Sequence, residues 1–267
     1  MPQWTLIGLL QGKQTAPWPL AEGDDGQKGL LGMPRYQPER CTTGCAACAE
    51  ICPTAAITLR PEDQTGGRLD VDYGRCIVCQ LCTEVCPTQA MTTSSDWAFG
   101  ARSRDDLKWS NVGNAESQAL VPSPRGFRRS LHIRHVDAGS CNGCESELQA
   151  LNNPFYNLHR LGIFFTASPR FADLLLVTGP VTYAMHGPLR TAYEAMAEPR
   201  WVMAMGTCAV SGGIAEGGYA CGHGLEGVLP VDVYLPGCPP NPAAIMQALL
   251  MFVGRARQRV QGGRLAE

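Results

Sequence analysis

Thirteen cysteines in 267 residues constrain this chain more than anything else in its sequence. Eight crowd into one stretch: Cys41, Cys45, Cys48, Cys52, Cys76, Cys79, Cys82 and Cys86. The other five, Cys141, Cys144, Cys208, Cys221 and Cys238, are spread over the second half. Thiols in this number serve as disulfides or as metal ligands, and the compartment decides which. No basic residue precedes the apolar stretch 4–10, and Lys13 follows it, the wrong order for a secretory signal. The best apolar run, 243–253, contains Gln247 and falls short of the roughly 20 residues of a membrane span. The reading is therefore a cytosolic chain in a reducing compartment, where clustered cysteines bind metal. With 22 basic against 24 acidic side chains, nothing argues for nucleic acid as a partner.

The first group of cysteines repeats itself. RCTTGCAACAEICPTAAI, from Arg40, and RCIVCQLCTEVCPTQAM, from Arg75, share the arginine, four cysteines, proline, threonine and alanine. Such a duplication implies two half-sites related by pseudo-symmetry. The second copy reads C-x2-C-x2-C-x3-C-P. Three closely spaced thiolates wrap one face of a cubane. The fourth cysteine is expected to start a helix, with the proline turning the chain so that this thiolate reaches the other cluster. By that rule Cys76, Cys79, Cys82 and Cys52 hold one cluster, and Cys41, Cys45, Cys48 and Cys86 hold the other. The small residues Gly44, Ala46, Ala47 and Ala49 let backbone N–H groups approach the sulfurs. A pair of zinc sites is the competing reading, because C-x2-C also suits zinc. Zinc motifs rarely carry the third cysteine at x2 and the Cys-Pro ending twice. Over about 38–93 the chain resembles the bacterial two-cluster ferredoxins. It departs from them in one place, since the first copy has C-x3-C, and Cys41 is thereby the least secure ligand.

The second half alternates strands and helices. Strands are expected at 131–136, 162–166, 174–178, 201–205 and 231–235, and helices at 145–151, 188–197 and 242–253. Short apolar strands between helical stretches imply a mostly parallel sheet covered on both faces. Cys141 and Cys144 follow the first strand, Cys208 the fourth and Cys238 the fifth. Their shared position just beyond the strand ends is where open α/β sheets gather ligands. Four thiolates there suit a third [4Fe–4S] cluster, and three cubanes use twelve of the thirteen cysteines. Cys221, in the glycine-rich GGYACGHG, is assigned as the free or structural thiol.

Four ordered motifs now carry a second resemblance: DAGSCNGCESE, SPRFADLLLVTGPVT, GTCAVSGG and PVDVYLPGCPP. Over about 131–253 they resemble the small subunit of [NiFe] hydrogenases, most of all the membrane-bound energy-converting, formate hydrogenlyase-type group. The 20 kDa subunit of respiratory complex I is similar in three of the four segments. It has adjacent cysteines where this chain has the spaced Cys141 and Cys144, which favours the hydrogenase side. The N-terminal half, with Trp4, Trp18 and the lead-in 34–41, resembles a separate ferredoxin-like subunit of the same complexes, so the chain looks like a fusion of two electron carriers.

The resemblance implies a flavodoxin-like α/β domain behind an α+β ferredoxin domain of the bacterial two-cluster type. The expected divisions are an extension over 1–37, the ferredoxin domain over 38–93, a polar linker over 94–130 within the stretch 92–130, the sheet domain over 131–255 and a tail over 256–267. It further implies an electron-transfer subunit with no complete active site of its own. Expected partners are a large subunit, membrane subunits holding the assembly on the cytoplasmic face, and a formate dehydrogenase or ferredoxin as donor or acceptor. The alternative is a complex I-like NADH/quinone oxidoreductase subunit without a [NiFe] site. Cutting the linker is expected to give two soluble pieces.

The remaining features have plainer readings. Glu145 and Glu147 place charge favourably at a helix start, and Glu147 is also a candidate proton carrier near the third cluster. His132, His135, His159, His186 and His223 form no ligand-spaced set. Arg125, Arg128 and Arg129 are read as solvated charge. The G-x-G-x-x-G match at 222–227 follows no strand and opens no helix, so a dinucleotide reading fails on context.

Overall fold

The computed structural model describes residues 3–42, 44–60, 68–110 and 130–265. The first half runs α1 (Gln3–Gln11), β1 (Arg35–Tyr36), α2 (Ala47–Glu50), β2 (Ile57–Arg60), β3 (Arg68–Asp72), α3 (Leu81–Glu84), β4 (Met91–Thr92) and β5 (Lys108–Ser110). The two cysteine repeats fold alike. In each, the third cysteine, Cys48 or Cys82, sits in a single helical turn, α2 or α3. The fourth cysteine does not start a helix, contrary to the sequence expectation. Cys52 and Cys86 come just after the turn, because the residue before a proline is pushed out of the helical region. Strands β1 and β4 pair antiparallel, and β2, β3 and β5 form a second antiparallel sheet. Trp109 of β5 packs edge-on against Tyr36 at 5.0 Å, closing a core that includes Ile57, Val71, Tyr73 and Met91.

The stretch expected as a linker is only partly a connection. Ala98, Phe99, Ala101 and Leu107 are buried, and β5 supplies the third strand of the ferredoxin sheet. These apolar residues are interleaved with charge at no regular period, so periodicity does not reveal them. Residues 111–129, with Pro122, Pro124, Arg125, Arg128 and Arg129, lie outside the described residues.

The second half contains β6 (Leu131–Asp137), α4 (Gly143–Ala150), β7 (Ile163–Phe165), β8 (Leu174–Thr178), α5 (His186–Glu194), β9 (Trp201–Met205), α6 (Thr207–Ser211), β10 (Val233–Leu235) and α7 (Pro242–Phe252), then the hairpin β11 (Val260–Gln261) and β12 (Arg264–Leu265). The sheet order is β10-β9-β8-β6-β7, with every pairing parallel. Numbered from β6, this is the 2-1-3-4-5 order of flavodoxin-like folds, whose chain reverses direction across the sheet between β6 and β8. All five residues of β8 and all eleven of α7 are buried, which explains why both read as continuous apolar runs rather than alternating ones. Among the described residues no helix is long and apolar enough to cross a membrane.

Residues 16–18 and the segment 258–264 are each tied to another part of the molecule. Ala16 donates its N–H to Phe155 O at 3.0 Å, Arg160 bonds the carbonyls of Ala16 and Trp18, and Trp18 meets Trp97 edge-on at 5.9 Å. The expected tail folds back as β11 and β12 onto the first half. Gly263 N–H and Gln258 Nε2 both reach Asp106, at 2.7 Å each, and Arg264 lies 5.2 Å from the centre of the Trp109 ring.

The two halves are thus tied together along their length. Ala101 and Tyr234 exchange backbone hydrogen bonds at 2.9 and 2.8 Å, Arg102 caps the carbonyls of Met251 and Phe252, and Arg75 pairs with Glu216. Severing the chain between 111 and 129 is therefore expected to leave one complex, not two separate soluble pieces. Size-exclusion chromatography should show both fragments co-eluting in buffer and separating only in denaturant. Separate native peaks would contradict this.

Candidate metal centres

In the first half, Cys52, Cys76, Cys79 and Cys82 line one cavity together with Ala56, Ile57 and Val71. Their thiols sense one another. Burial pushes Cys76 up to about 12, and the charges of Cys82, Cys52 and Cys79 act the same way. Cys82 is likewise pushed up to about 12, first by burial and then by Cys79 and Cys52. The second set is as mutual: Cys48 rises to about 11 through burial, then through Cys41, Cys86 and Cys45. Cys48 also acts on Cys82, so the two groups of thiols lie close to each other. Thiols held protonated in this way must lose protons as iron binds, and the metal supplies the compensating charge.

The backbone is arranged for sulfur that carries charge. Val78 N–H donates to Cys76 Sγ at 3.4 Å, Ala56 N–H to Cys52 Sγ at 3.3 Å, and Ala90 N–H to Cys86 Sγ at 3.2 Å. Burial would raise the Cys86 thiol, yet the donors around it outweigh burial and hold it below its ordinary value. Tyr36, not singled out in the sequence, is raised by burial and by a hydrogen bond with Cys41. Among the described residues no three such side chains close on a single ion.

The third set forms at the carboxyl edge of the parallel sheet. Cys141 and Cys144 lie where β6 gives way to α4, Cys208 lies in α6 directly after β9, and Cys238 follows β10. Cys144 is pushed well above the ordinary thiol range by burial, then by Glu145, Cys208, Cys238 and Cys141. Cys208 is pushed up to about 11 by burial, then by Cys238 and Cys141. Glycine makes the space. Gly206 has φ +87°, and a Cβ there would stand 2.7 Å from Cys144 Sγ. A Cβ on Gly213, φ +58°, would stand 3.0 Å from Cys208 Sγ. Cys141 and Cys238 are exposed, so this set opens onto the surface. Cys221 is buried and donates its S–H to Ala215 O at 2.9 Å.

Beside this set is a polar network that sequence spacing does not show. The Glu145 carboxylate accepts from Ser140 Oγ at 2.7 Å and from Thr178 Oγ1, and His135 Nε2 lies 2.9 Å from the same Thr178 hydroxyl. These groups meet because β6 and β8 are neighbours in the sheet, while 33 residues separate Glu145 from Thr178 in sequence. Glu147 is only half-buried, and burial raises its carboxyl. The other imidazoles have ordinary roles: His132 and His159 stack on Phe164, His186 meets Tyr183 edge-on, and His223 bonds Glu216. The 222–227 glycine segment is a loop with no strand before it and no helix after it.

Residues 141–252 match the family described as NADH ubiquinone oxidoreductase, 20 Kd subunit, and residues 34–90 match the 4Fe-4S dicluster domain. An uncharacterized protein of Methanocaldococcus jannaschii is 44% identical over 129 residues, which are 48% of this chain and 86% of the relative. The chain belongs to the 20 kDa subunit family of NADH ubiquinone oxidoreductase. Its ferredoxin half is a [4Fe–4S] dicluster domain, so iron–sulfur clusters are its cofactors. Formate hydrogenlyase subunit 7 of Escherichia coli is 42% identical over 134 residues, half of this chain and 52% of the relative. The chain thus spans about half the length of that subunit. Among solved structures, the membrane-bound sulfane sulfur reductase, an archaeal respiratory membrane complex, contains a chain 33% identical, with TM-score 0.42, covering 51% of this chain and 77% of that one.

Two predictions follow from these surroundings. Cys221→Ser is expected to leave iron content and EPR spectra unchanged, whereas Cys238→Ser should remove about four irons, one cubane's worth; the opposite pattern would exchange their roles. The second concerns His135, held below its ordinary pKa of 6.5 by burial, against the pull of Glu145 and Asp137. The unfolded chain therefore takes up this proton first as pH falls, so stability drops as pH falls from about 6.5 toward the lower folded value. His135→Gln should flatten the fall in melting temperature between about pH 7 and 5, the span through which an ordinary imidazole titrates.

Proposed function

We propose that this chain is the iron–sulfur electron-transfer subunit of a membrane-associated, energy-converting [NiFe] hydrogenase or formate hydrogenlyase-type complex. The observation that carries the reading is the third set of thiols, gathered from three separate strand ends at the open edge of the sheet with two of its four members at the surface. Cys141, Cys144, Cys208 and Cys238 would hold a third [4Fe–4S] cluster there. Cys52, Cys76, Cys79 and Cys82 would hold one of the ferredoxin clusters, and Cys41, Cys45, Cys48 and Cys86 the other. When bound, such clusters supply one-electron chemistry. What the chain itself does is fix their spacing, exclude water with the surrounding apolar core, and aim backbone N–H groups at the sulfurs.

The exposure of Cys141 and Cys238 supports a sheet edge that would face a large partner subunit holding the catalytic metal. The ferredoxin half would then face a donor or acceptor such as formate dehydrogenase or a soluble ferredoxin. Attachment to the cytoplasmic face of a membrane would come through partner subunits. The spaced Cys141 and Cys144 and the likeness to formate hydrogenlyase subunit 7 support the hydrogenase side. In such an assembly Glu147, whose carboxyl burial raises, would serve as the proton carrier near the edge.

Purification without oxygen tests the reading. About twelve irons per chain and negligible zinc are expected, together with co-purification of a large subunit that contains nickel. A co-purifying large subunit free of nickel would move the chain to the quinone-reducing, complex I-like class.

A further inference from the structure

Thr207 stands where cysteine-bearing segments of the two halves of the molecule meet. It is 1% exposed, precedes Cys208, and belongs to α6, which packs against the turn Tyr73–Arg75 that leads into Cys76. Its hydroxyl donates to the main-chain carbonyl of Cys76 at 2.8 Å and accepts from Gly237 N–H at 3.1 Å. Thr207 N–H in turn donates to Gly237 O at 2.9 Å. Gly237 precedes Cys238. A single buried hydroxyl therefore joins three cysteine-bearing segments, two from the sheet edge and one from the ferredoxin half. The side chains agree with the backbone, because Ile77 and Val78 line the same cleft as Gly237, Cys238 and Pro239.

We propose that Thr207 is a positioning residue that couples the sheet-edge thiol set to the Cys52/Cys76/Cys79/Cys82 set, its hydroxyl completing a hydrogen-bonded bridge between their ligand loops. This rests on the three-cluster reading above and adds an order to it. The set containing Cys76 is the inner neighbour of the sheet edge, and the Cys41/Cys45/Cys48/Cys86 set is the outer one, where a small carrier exchanges electrons. The step concerned is the passage of one electron between the two bridged sites. One site is oxidised by one equivalent, the other is reduced by one, and no bond is made or broken.

Hydroxyl chemistry distinguishes this role from simple packing. Thr207→Val keeps the shape of the side chain but can neither donate to Cys76 nor accept from Gly237, while Thr207→Ser keeps both bonds and loses only a methyl group. In the whole, iron-loaded chain, a single electron can be injected by pulse radiolysis and its redistribution among the clusters followed by absorbance and freeze-quench EPR. Thr207→Val is expected to slow redistribution roughly tenfold, the size of effect typical of lost outer contacts to metal ligands. Its iron content and individual cluster spectra should match the unaltered protein, and Thr207→Ser should restore the original rate. If valine crowds the junction and costs iron, Thr207→Ala removes the hydroxyl without bulk and should show the same slowing. Redistribution at the unaltered rate in a fully loaded Val or Ala variant would overturn the proposal. Iron near eight in the unaltered protein would instead overturn the three-cluster reading, and this inference with it.

Discussion

A cubane demands four thiolates at once, each at its own corner, and a single short loop supplies only three. Everything else in this molecule answers that demand. In the proposed assignment of the ferredoxin half the fourth thiol of each set comes from the opposite repeat, so two cysteine loops would have to be locked face to face before either set is complete. At the sheet edge the proposed third cluster would need no loop of three: Cys141 and Cys144 arrive from one strand end, Cys208 and Cys238 from two others. The cost of gathering thiols away from water shows in Cys48, Cys76, Cys82, Cys144 and Cys208, all pushed up first by burial and then by their neighbours. A core this dependent on metal charge is expected to be most stable with its clusters in place.

The parallel sheet is suited to holding such a set because its strand ends are fixed by a core that does not yield. Buried β8 and the fully buried α7 clamp β6, β9 and β10 in register, so the cysteines beyond them have little freedom to wander. Glycines at 206 and 213 then clear the immediate space, where a side chain would strike sulfur. The chain thereby spends rigid secondary structure on placement and reserves its loops for access, and within this set the exposed thiols are those in the loops, Cys141 and Cys238.

In the proposed relay, joining two electron carriers into one chain requires more than a tether, since electron passage depends on a fixed separation. The molecule meets this with contacts from both ends of the chain. The segment before β1 lies on the sheet domain through Ala16 and Trp18, and the hairpin after α7 lies on the ferredoxin half through Asp106 and Trp109. Between them run the Arg75–Glu216 pair, the Ala101–Tyr234 exchange and the Thr207 bridge. Contacts from both ends of the chain thus tie the two halves together.

Much of this was legible in sequence wherever the signal was local. Cysteine spacing, the Cys-Pro endings and the internal repeat define the ferredoxin half. Five short apolar runs mark the strands, and β8, buried along its whole length, reads as one continuous run. What escaped was whatever depends on neighbours distant in sequence. Residues 94–110 looked like a polar linker because their buried members follow no period, and the two termini looked unattached because their partners are more than a hundred positions away. Glu145 read as mere helix-start charge, since only the adjacency of β6 and β8 brings Thr178 and His135 to it. Sequence alone determined which chemistry the chain can hold, as thiol number and spacing are written residue by residue. Tertiary structure decided how the sites connect, because a hydroxyl such as that of Thr207 acquires a role only when folding sets it between Cys76 and Gly237.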